Sequence, residues 1–229
     1  DNTSVGYYSM YGSKTNSELT STNNTAVGSY SLSAIKSGSD NTSIGYESLR
    51  LNTTGSNNTA IGIKTLRSNT TTSGNTAIGS ETLRAATGSN NTAIGVNALR
   101  GEESANGTYT GTTGDYNIAI GPNAMLNSKS GNYNIAIGYN SLSSLYYPSS
   151  SHMASDNIAL GRNSLKSNVK GRSNIGIGDR TLENTIGENN VAIGSAAGKG
   201  ISDSDNNVAL GYVALYQADA EENTAIGSR

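Results

Sequence analysis

The chain of 229 residues contains no Cys, no Trp and no Phe, only two Pro and a single His. Without Cys there are no disulfides, no thiolate zinc sites and no thiol nucleophile. Large aliphatic residues are also scarce: Leu, Ile and Val number 39, about 17% of the chain, under the roughly 20% that usually marks disorder. Charge does not complete that diagnosis, because 15 basic and 17 acidic residues leave a net charge of −2, too little for self-repulsion to keep the chain expanded. The same balance argues against the basic stripe of a nucleic-acid binder. No apolar run approaches the roughly 18 residues of a membrane span, so membrane insertion is not expected. No basic-then-apolar leader opens the chain, and any export signal is expected outside it.

What is present is a repeat. A five-residue word, Asn, then Thr/Ile/Val, then Ala/Ser/Gly, then Ile/Val/Leu, then Gly, occurs thirteen times between Asn2 and Gly227. Its closing glycines include Gly6, Gly28, Gly45, Gly62, Gly79 and Gly95, and nine of the twelve spacings between successive copies are 16 or 17 residues. Four residues after the glycine a large apolar residue returns, as in Leu32, Leu49, Leu66 and Leu83, with Gly198 the exception. These recurring slots hold 28 of the 39 aliphatic residues. A period this short leaves no room for a helix-plus-strand unit, and no 3.6-residue stripe appears. The alternation of β-branched positions (Ile61, Ile78 and Ile94 among them) around a small residue predicts a short strand. The three residues after the glycine plus Leu predict a second strand. A second glycine seven residues before the first (Gly38, Gly55, Gly88, Gly114, Gly131, Gly171, Gly187) predicts the opposite corner. The fold class is therefore all-β: a parallel β-solenoid of about 13 coils of 16–17 residues forming one repeat array over residues 1–229. At about 4.8 Å per coil it would be on the order of 60 Å long.

Asn stands first in every word, including Asn24, Asn41, Asn58 and Asn91. Two structural readings fit: a ladder of stacked amides, or a turn cap repeated in each coil. The second position is Thr in early copies (Thr25, Thr42, Thr59, Thr76, Thr92) and Ile or Val from Ile118 through Val208, which predicts a surface that is drier toward the later coils. A coil enclosing one Ile, one Leu and an Ala buries little, so partners of the same kind are expected along the array.

The word NTAIG followed by xxxL, with TTG and TG corners, resembles the YadA-like head repeats of trimeric autotransporter adhesins and the related repeats of bacteriophage tail fibres. The 16–17-residue unit with its regular Leu is more similar to the tail-fibre version. That resemblance implies a left-handed β-roll and a homotrimeric fibre. It further implies attachment to a host cell surface through a glycan or protein receptor, with the chain located in a virion tail fibre or, alternatively, on a bacterial cell surface. It also implies a piece of a longer fibrous protein, beginning and ending inside a repeat at Asp1 and at Ser228-Arg229, from which a C-terminal chaperone is cleaved in some relatives.

Extra residues fall near 10–23, 100–116 and 142–156, and loops protruding from a regular stack are natural places for recognition. Tyr109, Tyr116, Tyr146, Tyr147 and His152 lie there and are the candidate receptor-binding residues. The alternative is that these rings only cover coil edges or neighbouring subunits. Four tyrosines that follow a corner glycine, Tyr7, Tyr46, Tyr139 and Tyr212, read as corner packing. Enzymatic features are weak: the single His152 has no nucleophile elbow, and GSAAGKG at 194–200 has three residues between its glycines where a phosphate loop has four. Glycan cleavage would need clustered carboxylates, and none is located. Asp203 and Asp205 could offer oxygens to an ion, but the order of a calcium loop is absent and a solvated turn fits better. No cofactor is expected. An ice-binding solenoid is a further alternative, motivated by the early Thr column.

Overall fold

The structure is a computed structural model that describes residues 1–12, 20–85, 87–103, 109–110, 114–128, 130–144, 154–216 and 221–228. It is all-β and carries thirteen three-residue parallel strands, in agreement with the solenoid expected from the repeat. They divide between two compact units, Asp1–Tyr116 and Asn117–Arg229. The first holds β1 (Thr3–Val5), β2 (Thr25–Val27), β3 (Thr42–Ile44), β4 (Thr59–Ile61), β5 (Thr76–Ile78) and β6 (Thr92–Ile94), together with a short antiparallel pair, β7 (Glu102–Glu103) and β8 (Tyr109–Thr110). The second holds β9 (Ile118–Ile120), β10 (Ile135–Ile137), β11 (Ile158–Leu160), β12 (Ile175–Ile177), β13 (Val191–Ile193), β14 (Val208–Leu210) and β15 (Thr224–Ile226). Pairing is in strict register, each strand's central residue opposite the next one's, as Ser43↔Ala60 and Ala60↔Ala77.

Of the two readings of the repeated asparagine, the structure shows the ladder, and its bonds run from coil to coil. Asn58 donates Nδ2 to Asn41 Oδ1 at 3.1 Å and to the Thr72 carbonyl of the following coil at 2.9 Å. Its Oδ1 accepts from the Asn75 backbone N–H at 3.0 Å and from Asn75 Nδ2 at 3.3 Å. The amide's donors and acceptor are all used, inside a fully buried column. In the second unit the bond from the Asn157 backbone N–H to Asn134 Oδ1 spans a 23-residue spacing at 3.0 Å, as long as the bond from Asn134 to Asn117 across 17 residues. Inserted residues thus leave the ladder intact.

Two expectations about the coil are corrected. The segment after the corner glycine is a turn, not a second strand. Positive φ recurs at alternate positions, for example Gly62 (136°), Lys64 (55°) and Leu66 (49°). This directs successive N–H groups along the stack: Gly62 and Lys64 donate backward to Ile44 and Tyr46 at 2.7 and 2.8 Å, and Leu66 donates forward to Thr82 at 3.0 Å. A left-handed conformation costs a non-glycine residue about 1–2 kcal/mol. The bond to the next coil and the full burial of Leu66 offset it, the latter contributing about 2 kcal/mol. Second, the interior is built chiefly from Leu and the central Ala, Ser or Gly of each strand, and the strand's own Ile is not part of it; the buried Ile35 and Ile201 come from outside the strands. Ala26, Ala60, Ala77, Leu32, Leu49, Leu66 and Leu83 are fully buried, while the strand's flanking β-branched residues face outward. Where Gly198 interrupts the Leu column, Ile201 is buried: its Cδ1 lies 3.2 Å from where a Gly198 Cβ would stand.

Gly62 meets both demands on a corner, since its φ of 136° suits only glycine and a Cβ would lie 2.2 Å from the Gly79 carbonyl oxygen. At the opposite corner Gly55 answers a demand for space alone, a Cβ there falling 2.3 Å from the Thr72 carbonyl oxygen.

Asn58→Ala leaves the Asn75 N–H without a partner in the dry column and removes one of two donors from the Thr72 carbonyl, which keeps Asn69 Nδ2 at 3.1 Å, and it should lower unfolding stability by about 2 kcal/mol. Asn57→Gly, one residue earlier at an exposed φ of 58°, should change it by less than about 0.5 kcal/mol. Urea unfolding midpoints compare the two variants, and equal effects would remove the ladder from its central role.

Candidate functional site

The turn segments place side chains in columns, because positions two and five residues after the corner glycine recur in every coil. In the first unit the plus-two column runs Tyr8, Tyr30, Glu47, Lys64, Glu81, Asn97, and the plus-five column runs Tyr11, Ser33, Arg50, Arg67, Arg84, Arg100. At its early end the strip is aromatic. Tyr7 and Tyr8 rings meet edge-on with centroids 4.4 Å apart, Tyr8 lies 4.6 Å from Tyr11 and stacks at 5.5 Å on Tyr30, and Tyr30 meets Tyr46 at 6.5 Å. Tyr7, Tyr8, Tyr11 and Tyr46 are all exposed, Tyr7 by 64%. A hydrogen bond with Tyr8, first among several causes, holds the Tyr7 phenol above its ordinary value of 10.0.

Next to the rings lies a charged cluster. The Arg50 guanidinium sits 5.2 Å from the Tyr30 ring centroid, a cation–π distance. Its Nη1 bonds Glu47 Oε1 at 2.6 Å, and Arg67 Nε of the next coil bonds Glu47 Oε2 at 2.7 Å. The motif recurs two coils on, where Glu81 takes Arg84 Nη1 at 3.1 Å and Arg100 Nη1 at 3.4 Å. Each glutamate therefore clamps the arginine of its own coil and that of the next. Burial pushes the Glu47 carboxyl up, but Arg67 and Arg50 outweigh it and the net value falls below the ordinary 4.5.

Of the five receptor-binding candidates singled out from the sequence, Tyr109 and Tyr116 lie among the described residues. Tyr116 is exposed and occupies the regular left-handed position just before ladder residue Asn117, with φ of 58°, so it belongs to the coil and not to an inserted loop. Tyr109 lies in β8, paired through Glu103. Tyr146, Tyr147 and His152 lie outside the described residues. Tyr7, Tyr46, Tyr139 and Tyr212, expected to pack at corners, are instead exposed. Asp203 is paired with Lys170 at 3.0 Å, and Asp205 Oδ1 accepts the Glu188 N–H at 2.7 Å, which ties both to coil contacts. Lys199 of GSAAGKG pairs with Glu183 at 3.2 Å. Among the described residues no group of three His, Asp or Glu is placed to hold a metal ion, and no helix is long and apolar enough to cross a membrane. The tyrosine cluster and the arginine column went unrecognised in the sequence. The signal that finds them is register: aligned on the corner glycine, Arg50, Arg67, Arg84 and Arg100 fall at one position in four consecutive copies.

A carboxylate with a lowered folded pKa contributes stability that is present above its ordinary value and lost as pH falls through the folded one. Glu47→Gln should therefore melt below the native chain at pH 7, and the gap should close as the pH drops below 4.5 and on through the folded value. Circular dichroism melts across that range check it, and a gap independent of pH would assign Glu47 a packing role only. In comparisons with known protein families, curated sequences and solved structures, nothing matches this chain.

Proposed function

We propose that the chain is a structural and receptor-binding segment of a homotrimeric fibre that mediates attachment to a host cell surface, as in a phage tail fibre. The observation that carries this reading is the outward ridge of β-branched residues. Val27, Ile44, Ile78 and Ile94 in the first unit, and Ile137 and Ile193 in the second, are each exposed by about two-fifths. Beside them Ile63, Val96, Tyr139 and Tyr212 follow their corner glycines and are more exposed still. An aliphatic residue repeated at one outward position in successive coils makes a continuous apolar stripe, which soluble single chains rarely leave uncovered. Cyclic association of identical chains covers that stripe in every coil, since every coil offers the same residue type.

The second-position column points the same way. Thr25, Thr42, Thr59, Thr76 and Thr92 are half-buried, and so are Ile135, Ile158, Ile175, Val191 and Val208. Within one chain the later positions are no drier than the earlier ones. The change from Thr to Ile or Val is then explained by what lies outside the coil, and a partner chain supplies it. The half-buried state of the threonines also weakens the ice-binding alternative, which needs them exposed as a flat array. The bacterial-adhesin version of the fibre shares the same surface logic and differs in what carries it.

The native chain should show three times the 23.5 kDa chain mass by light scattering. Ile44→Asp combined with Ile94→Asp should return it to the single-chain mass, with the coil fold retained by circular dichroism. A native species of 23.5 kDa would overturn the trimer. For attachment, labelled protein should be retained on bacterial cells, and a native trimer that the cells do not retain would overturn the receptor-binding role.

A further inference from the structure

We infer that the strip formed by the tyrosine cluster and the arginine column is a binding site for an acidic oligosaccharide. The inference deepens the attachment reading and rests on it for the source of the ligand. Charge is the first argument. Along four consecutive coils the strip carries five cations, Arg50, Arg67, Arg84, Arg100 and Lys64, against two carboxylates, Glu47 and Glu81, in a chain whose net charge is −2. An anionic ligand is favoured at this place and not over the chain as a whole. A second copy presenting the same face would set cations against cations, a juxtaposition that disfavours self-association here.

Preorganisation is the second argument. Glu47 and Glu81 each fix two guanidiniums in adjacent coils. Arg50, Arg67 and Arg100 each engage their glutamate through one nitrogen, whereas a guanidinium carries five N–H donors in a planar fork suited to a carboxylate, phosphate or sulfate group. Little side-chain entropy remains to be lost on binding. Spacing is the third. Successive coils lie about 4.8 Å apart, the length scale of one sugar unit, so an extended acidic chain can present one anionic group to each arginine in turn.

The aromatic end gives the site its class. Four exposed tyrosines offer flat faces with hydroxyl tips, which suit the apolar faces and hydroxyl rims of pyranose rings. Tyr30, half-buried beneath the Arg50 guanidinium, joins the aromatic end to the charged column. A bare polyanion needs only the arginines, and a neutral glycan needs only the rings. The continuous strip fits a ligand that has both properties.

The test uses the full chain and titration calorimetry with three acidic probes, oligogalacturonate, a heparin hexasaccharide and oligosialic acid, and with maltohexaose as the neutral control. At least one acidic probe should bind, at least tenfold more tightly than maltohexaose, and more weakly as salt is raised. Arg67→Gln with Arg100→Gln should weaken it at least tenfold. Tyr7→Ser with Tyr11→Ser, on exposed rings that the fold does not need, should also weaken it. Failure of all three acidic probes to bind the native chain would overturn the site, as would binding that neither pair of substitutions alters. Equal binding of an unglycosylated polyanion such as polyglutamate, unaffected by the tyrosine variant, would reduce the strip to a charge patch for acidic protein and overturn the saccharide assignment. The mass of the same sample separates the two readings: a trimer without acidic-sugar binding refutes the strip alone, and a monomer that binds refutes the fibre alone.

Discussion

The structure depends on one polar interaction repeated without variation, the asparagine that bonds the coil before it and the coil after it. A thin coil with one Leu and one Ala in its interior supplies too little apolar burial to specify how coils stack. The ladder supplies the missing specification. Each buried amide is satisfied only when the next coil sits in register, so a slip by one residue would strand donors and acceptors in a dry column, where each costs about 1–3 kcal/mol. The aspartate isostere lacks the two donors, and glutamine is longer by a methylene. The strict recurrence of Asn follows from that accounting and not from any turn preference taken singly.

From the ladder follows the odd backbone of the turn segment. Leu in the left-handed region is unfavourable by itself, yet Leu32, Leu49, Leu66 and Leu83 all adopt φ near 50°. In register, that conformation brings their N–H groups onto the next coil's carbonyl at 2.9–3.0 Å and their side chains into the interior. Local strain is thus tied to a bond between coils, which makes each coil dependent on its neighbours. A stack of this kind behaves as a chain of nearest-neighbour interfaces, and insertions such as that before Asn157 are absorbed because the neighbouring ladder bond closes over them.

This division explains what was legible beforehand. The word Asn-x-x-x-Gly and the Leu four residues on report directly on coil-to-coil contact, so the solenoid and its corners could be read from spacing. The turn replacing the second strand could not, since Leu has no preference for positive φ and its conformation is imposed by the stack. Alternation at Thr59-Ala60-Ile61 shows that two faces exist but not which one is inside. Ile as the larger apolar residue looked like the core, and the inward position of the strand in fact holds only Ala, Ser or Gly. Tyr116 was misplaced for a related reason: the excess length around it suggested a loop, whereas its place before Asn117 is a regular coil position. The tyrosine cluster and arginine column needed the register of the coil before members such as Glu47 and Arg67, 20 residues apart in sequence, could be seen as neighbours.

Because the ladder and the Leu column carry the fold, the outward positions are left with few structural duties, and their composition can differ from coil to coil. The plus-two and plus-five columns make the point. In the first unit they hold Tyr and then an Arg-rich run clamped by Glu47 and Glu81, while the corresponding positions of the second unit mix Asn123, Asn140, Asn163, Arg180, Leu126, Ser143, Lys166, Glu183 and Lys199, with no run of one sign. A scaffold that required charge at these positions would repeat it in both units. The first unit's pattern is therefore a choice the fold does not make. Four arginines on consecutive coils repel one another, and two glutamates only partly relieve that repulsion. A run of cations kept where the fold does not call for one is available for recognition.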